Sequence, residues 1–201
     1  WDGAALGCEE VRLEVRRALP CEWAHFREHH YKDHKLVPGA VGWMGLLAGR
    51  PVGCTFVVLQ APNYLGLSRR NMNPLGRERD TEVGEEWAQL PEAWAWRPCM
   101  RETRTVVLPD FQGCSLGSAL SDAVGRSLEL HGWTFVSKTV HPHFGSYRDR
   151  SPFWRPTHNN RWVDKTGRPS YHHFWVGATN PDNSVDAERL RQLEARAAVC
   201  Y

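Results

Sequence analysis

The chain has 201 residues, 41% hydrophobic side chains and a formal net charge of +2. That length suits one domain with a full core, and the composition is that of a soluble globular chain. A net charge this small names no partner, no apolar run approaches the roughly 20 residues that span a membrane, and no signal peptide is visible. Six cysteines (8, 21, 54, 99, 114 and 200) include no C-x-x-C pair, so free thiols in a reducing, cytoplasmic compartment are expected rather than a disulfide or zinc framework. Ten tryptophans serve either packing or stacking on a planar ligand.

Residues 11–15 alternate apolar and charged side chains, as a half-buried first strand does, and Leu19-Pro20 breaks it. Residues 21–31 read as a short helix rich in histidine and glutamate, followed by loop at 35–39. Residues 40–48 and 52–59 read as a hairpin around Gly49-Arg50-Pro51, with Val52, Phe56, Val57 and Val58 as strong strand formers. Residues 60–100 are irregular, with a helical turn or two at 82–90, and read as an insertion between the third and fourth strands on the acceptor side. Connections of that length are usually functional.

The most informative stretch is 101–130. Residues 101–108 supply Thr103, Thr105, Val106 and Val107 to a strand, and Pro109 stops it. From Ser115 the pattern turns helical, with Leu116, Leu120, Val124 and Leu128 at spacings of four. Small residues between strand and helix make a ready anion site, because the first helical N–H groups lack intrahelical partners and carry the positive end of the dipole. A plain β-to-α turn has the same outline. Residues 133–139 are a further strand, His141-Pro142 opens a short helix through Tyr147, 151–167 is loop, 170–176 is a last strand, and 186–198 is a charged amphipathic helix near the end (185–199).

The segment Val106-Val107-Leu108-Pro109-Asp110-Phe111-Gln112-Gly113-Cys114-Ser115-Leu116-Gly117 resembles the acyl-CoA signature of the GCN5-related N-acetyltransferases (GNAT), Gln/Arg-x-x-Gly-x-Gly/Ala. Gln112 matches its first position and Gly117 its last; Ser115 stands where the middle glycine belongs, which weakens the match. The resemblance implies one α/β domain over 1–201, with a mixed twisted sheet of six to seven strands flanked by helices, acetyl-CoA as cofactor, and acyl transfer to an amine. It implies that Val106, Val107 and Leu108 pair with the pantetheine arm. Gln112, Gly113, Cys114, Ser115, Leu116, Gly117 and Ser118 would hold the pyrophosphate. Tyr147 occupies the place of a general acid for the departing thiolate, and Glu102 is the candidate base. A non-catalytic binding module of the same fold is the bland alternative.

Two further clusters carry chemistry. In Glu28-His29-His30-Tyr31-Lys32-Asp33-His34, His30 and His34 are four apart and share a face on a continuous helix. They would bind a metal, or serve as polar surface, or, with Tyr31, border the acceptor groove and act in catalysis. Between 148 and 168, Arg148, Arg150, Arg155 and Arg161 interleave with Phe153, Trp154 and Trp162, the ingredients of nucleic-acid binding or of a loop pinned by stacked side chains. His-His-Tyr, Arg-Thr-Val-Val-Leu-Pro-Asp and Tyr-Arg-Asp-Arg-Ser-Pro-Phe-Trp together resemble a phage and mobile-element branch similar to the Mom-type DNA-modification proteins. That resemblance implies double-stranded DNA as partner, a flipped adenine as acceptor and iron as metal.

Overall fold

The computed structural model describes residues 12–31, 34–60, 97–157, 159–180, 184–196 and 198–199. The expected helical turn at 82–90 and most of the 60–100 insertion lie outside them. Strands β1 (Leu13–Ala18), β2 (Val41–Leu47) and β3 (Arg50–Gln60) form an antiparallel meander. β1 runs on to Ala18, beyond the expected end, because Arg16 and Arg17 still pair with Met44 and Trp43 and the Arg17 guanidinium lies 4.3 Å over the Trp43 ring. The β2–β3 turn is Ala48-Gly49, with φ of 48° and 75°, the left-handed pair that a two-residue hairpin requires.

β4 (Cys99–Val107) continues the antiparallel run. A 3₁₀ turn (Pro109–Phe111) and a loop lead into α1 (Leu116–Leu130), which crosses to β5 (Thr134–Thr139), parallel to β4. Then follow α2 (Pro142–Arg150), β6 (Trp154–Pro156), β7 (Trp162–Val163), β8 (Pro169–Trp175), α3 (Ala187–Arg196) and β9 (Ala198–Val199). The sheet order is β6-β8-β5-β4-β3-β2-β1-β9, with β7 also on β8. Nine strands are described; the short β6 and β7 lie where loop is expected, and β9 where the last helix is expected to end.

One face of the sheet is covered by α1, whose Leu120, Ala123, Val124 and Leu128 pack on Trp43, Val57, Met100, Phe135 and Trp175. The other face is covered by residues 20–29. These do not form the expected helix but two 3₁₀ turns, Pro20–His25 and Arg27–His29. Trp23 and Phe26 are three apart, and a helix with three residues per turn sets both on the face that meets Met44, Cys54, Phe56 and Val106.

Candidate active site

β4 and β5 pair only through Cys99↔Thr134, Met100↔Phe135 and Arg101↔Val136. Beyond that point β4 continues to Val107 and β5 to Thr139 without pairing to each other, so a wedge-shaped opening separates them. The cause is local. Phe56 faces Arg104 and Val57 faces Glu102, which leaves Thr103 as an extra residue in β4. Its hydroxyl donates to the Phe56 carbonyl at 3.0 Å. A bulge of this kind bends its strand and re-aims the side chains around it. Here it brings Glu102 and Thr105, three apart, onto the α1 face, where the Thr105 hydroxyl donates to Glu102 Oε1 at 2.6 Å.

The base of the opening on that face is a buried polar cluster. Arg148 Nη2 from α2 donates to Glu102 Oε2 at 2.8 Å, and Ser137 from β5 donates to the same oxygen at 2.5 Å. Ser121 from α1 donates to Glu102 Oε1 at 3.2 Å and accepts from Arg148 Nη2 at 2.8 Å. The Arg148 guanidinium is sandwiched between Phe144 and Trp154, 4.1 and 4.3 Å from their ring centres. Burial works to raise the Glu102 pKa, but the Arg148 charge and the hydrogen bonds from Ser137 and Thr105 outweigh it and hold the carboxyl below its ordinary value. Glu102 thus ties β4 to β5, α1 and α2 as a buried carboxyl paired with Arg148, and it is not open to an acceptor. Arg148, 1% exposed, is its counter-ion and faces no nucleic acid.

At the wide end, the loop after β4 folds back before α1 begins. Gln112 Nε2 donates to the Val107 carbonyl at 2.9 Å, which folds the loop back on the strand. Gly113 and Ser115 both have left-handed backbones, φ 85° and 59°. Ser115 is therefore the N-cap of α1 in the conformation a glycine would take, and its side chain does not cap the helix. Gln112, Gly113, Cys114 and Ser115 are exposed, while Leu116, Gly117 and Ser118 are half-buried. A Cβ at Gly117 would lie in ordinary contact with Val107 and Phe144, at 3.4 and 3.5 Å, so a branched side chain there would press on both.

Tyr147 is half-buried and its hydroxyl donates to Asp122 of α1, which also accepts from Trp154 Nε1 at 2.8 Å. Its proton is directed into the α1–α2 contact, which counts against a free general acid. A residue the sequence reading missed, His141, stands just past the end of β5. Its Nδ1 accepts from the Phe144 N–H at 3.4 Å, which in the neutral ring leaves the proton on Nε2. The signal was available: a polar residue before Pro is a helix N-cap pattern.

The remaining expected residues are separated. The Arg155 guanidinium donates to the Pro152 and Trp154 carbonyls at 3.2 and 2.9 Å, and Arg161 is paired with Asp149 at 3.0 Å. Asp149 is held at a pKa of about 2 against the effect of burial by hydrogen bonds from His173, Asn160 and Arg161. This cluster pins the β6–β8 connection to α2. Of the four arginines expected to meet nucleic acid, only Arg150 is an exposed side chain with neither hydrogen bond nor ion pair. On the opposite face of the sheet, the buried His30 ring meets Trp23 at 5.9 Å and the exposed Tyr31 at 5.1 Å. His30 has already left the 3₁₀ turn (φ −91°, ψ 125°), and the His34 Nδ1 lies 3.9 Å from Glu28. The shared helical face of His30 and His34 therefore does not exist, and no group of three His, Cys, Asp or Glu among the described residues could hold a metal.

No family model matches the sequence, and no curated protein matches it. Solved structures do. Arabidopsis thaliana NAA60 in complex with acetyl-CoA is 10% identical, over 80% of this chain and 96% of that one, with a TM-score of 0.52. BjaI, a CoA-dependent acyl-homoserine lactone synthase with SAM and isopentyl-CoA, is 14% identical, over 94% and 92%, with a TM-score of 0.51. The Escherichia coli ribosomal-protein-S18-alanine N-acetyltransferase is 12% identical, over 80% and 91%, with a TM-score of 0.47. At these identities the likeness is one of fold: a mixed, twisted, open sheet flanked by helices, as in the GNAT proteins.

Proposed function

We propose that this chain is an acyl-CoA-dependent N-acyltransferase. The observation that carries the proposal is the opening between β4 and β5, which ends in a loop with two left-handed residues at the first turn of a helix of 15 residues. The residues present fit a CoA pyrophosphate: backbone N–H groups at the start of α1, small residues at 113, 114, 115 and 117, and no carboxylate in 111–118. Gln112 through Ser118 would hold that group, and Val106, Val107 and Leu108 would line the pantetheine arm. The middle position no longer favours a non-catalytic module, because Ser115 adopts the required backbone.

Acyl-CoA supplies an activated thioester. The acceptor nitrogen bonds to the acyl carbon, the carbon–sulfur bond breaks, the nitrogen loses a proton and the thiolate gains one. Glu102 positions the β4 edge through Arg148 and takes no proton. With the Tyr147 proton directed to Asp122 and His141 Nδ1 engaged as an acceptor, water takes the proton that the nitrogen loses and returns one to the thiolate. His30 and Tyr31 lie on the acceptor side. A DNA acceptor and an iron centre find no support in this arrangement, because Arg148, Arg155 and Arg161 are engaged within the protein and the histidine pair is broken up. No helix among the described residues is long and apolar enough to cross a membrane.

The test is calorimetric titration of acetyl-CoA into the protein and into Gly117→Val. Binding with a Kd on the order of micromolar, weakened at least ~10-fold by the substitution, is expected. No binding to the unaltered protein at ~1 mM acetyl-CoA overturns the proposal.

A further inference from the structure

We infer that the acceptor amine carries its own anionic group, a phosphate or a carboxylate, which Arg104 and Lys138 hold from the two lips of the β4–β5 opening. This rests on the acyltransferase reading. The last paired residues of the two strands are Arg101 and Val136. One step further, Glu102 and Ser137 face α1 and meet each other. The next residues to face the other side are Arg104, once the bulge at Thr103 is passed, and Lys138. The Arg104 guanidinium confirms its side by donating to the Lys35 carbonyl, next to the 3₁₀ turns, at 3.1 Å.

Among the described residues, neither cation has a counter-ion. Arg104 is half-buried, and its partners are the carbonyls of Thr103 and Lys35, at 2.8 and 3.1 Å, while its Nε is buried with no partner. Lys138 is exposed, with neither hydrogen bond nor ion pair. A half-buried guanidinium without an anion is unfavourable unless a ligand supplies one. The nearest carboxylate along β4, Glu102, is on the far face and neutralised by Arg148. A site for a simple ammonium would carry the opposite charge. Two cations flanking the acceptor path repel a plain amine cation, draw in an amine with a compensating anion, and favour the neutral nucleophilic form of its nitrogen.

The test compares ethanolamine, phosphoethanolamine and β-alanine as acceptors at saturating acetyl-CoA. It uses the unaltered protein, Lys138→Gln, Arg104→Gln and, as a control on the exposed β7–β8 turn, Lys165→Gln. At least one anionic amine should exceed ethanolamine in kcat/KM by about 10-fold, and that ratio should fall about 10-fold in Lys138→Gln and in Arg104→Gln but not in Lys165→Gln. Preference for phosphoethanolamine alone assigns a phosphate, and preference for β-alanine alone a carboxylate. Equal or better use of ethanolamine, a ratio unmoved by Lys138→Gln, or no turnover of any probe by protein that binds acetyl-CoA overturns the inference and leaves the acyltransferase reading standing. Absence of acetyl-CoA binding overturns both. Lys138→Gln alters an exposed side chain, so the test survives should Arg104→Gln fail to fold.

Discussion

The two faces of β4 carry opposite solutions to the same problem. On the α1 face, Glu102 is buried and each of its oxygens is satisfied by Arg148, Ser137, Thr105 or Ser121. On the other face, two residues on, Arg104 keeps its charge with only carbonyl partners, and Lys138 across the opening has none. The first arrangement fixes the wedge; the second leaves charge available at its mouth. Charge that is neutralised inside the protein builds structure, and charge left without a counter-ion beside a cleft is free for a ligand.

The sharpest way to break this contrast is Arg148→Met. It leaves Glu102 buried without a counter-ion and should destabilise the protein by about 3–5 kcal/mol in urea unfolding at pH 7. The pH dependence fixes the sign. In the unaltered protein the depressed folded pKa of Glu102 contributes stability above its ordinary value of 4.5, lost as pH falls through the folded value. In Arg148→Met the counter-charge is gone and only the hydrogen bonds from Ser137 and Thr105 oppose burial, so the folded pKa rises relative to the unaltered protein and the deficit should shrink on acidification. A deficit independent of pH would mean that packing, not charge, holds α2.

Gly145→Ala tests how closely that helix must sit. Its new Cβ would run into the Tyr171 ring, which forces α2, and Arg148 with it, away from β8. A loss of about 1–3 kcal/mol is expected from thermal unfolding. Tyr147→Phe removes one hydrogen bond to Asp122 and should cost about 1 kcal/mol, with kcat for acyl transfer within about threefold of the unaltered protein. A fall in kcat of about 100-fold or more would restore the tyrosine as general acid. Ser115→Gly relieves a left-handed serine but loosens the unfolded chain, for a net gain of about 0.5 kcal/mol. Lys138→Gln, on the open face, should change stability by no more than about 0.5 kcal/mol, against the several expected for Arg148→Met. A large loss would return Lys138 to a structural role.

The strands and α1 were legible because their patterns are local: alternation in β1, β-branched residues in β3 and β4, spacing of four in Leu116, Leu120, Val124 and Leu128. The loop between β4 and α1 was legible for the same reason, since Gln112 to Gly117 are contiguous. What escaped depends on partners far along the chain. Glu102 and Arg148 are 46 residues apart, and nothing in Arg-Glu-Thr-Arg-Thr announces that Thr103 is an extra residue. Strict alternation would have set Glu102 and Thr105 on opposite faces. The 21–31 segment misled because its polar and charged residues suit a helix, and Trp23 and Phe26, three apart, share a face in an α-helix as they do in the 3₁₀ turns observed. Residue type suggested chemistry for Glu102, Arg148 and Arg161, and burial or pairing decided otherwise.

The short outer strands bear on how copies of this protein meet. Among the described residues, one margin of the sheet is formed by β6 and β7, of three and two residues, and the other by β9, of two. β6 ends at Pro156, which has no N–H to offer. A long, flat margin is a template on which a second chain adds strand by strand, the first step of uncontrolled aggregation. Margins this short, one of them closed by proline, give such growth little to start from.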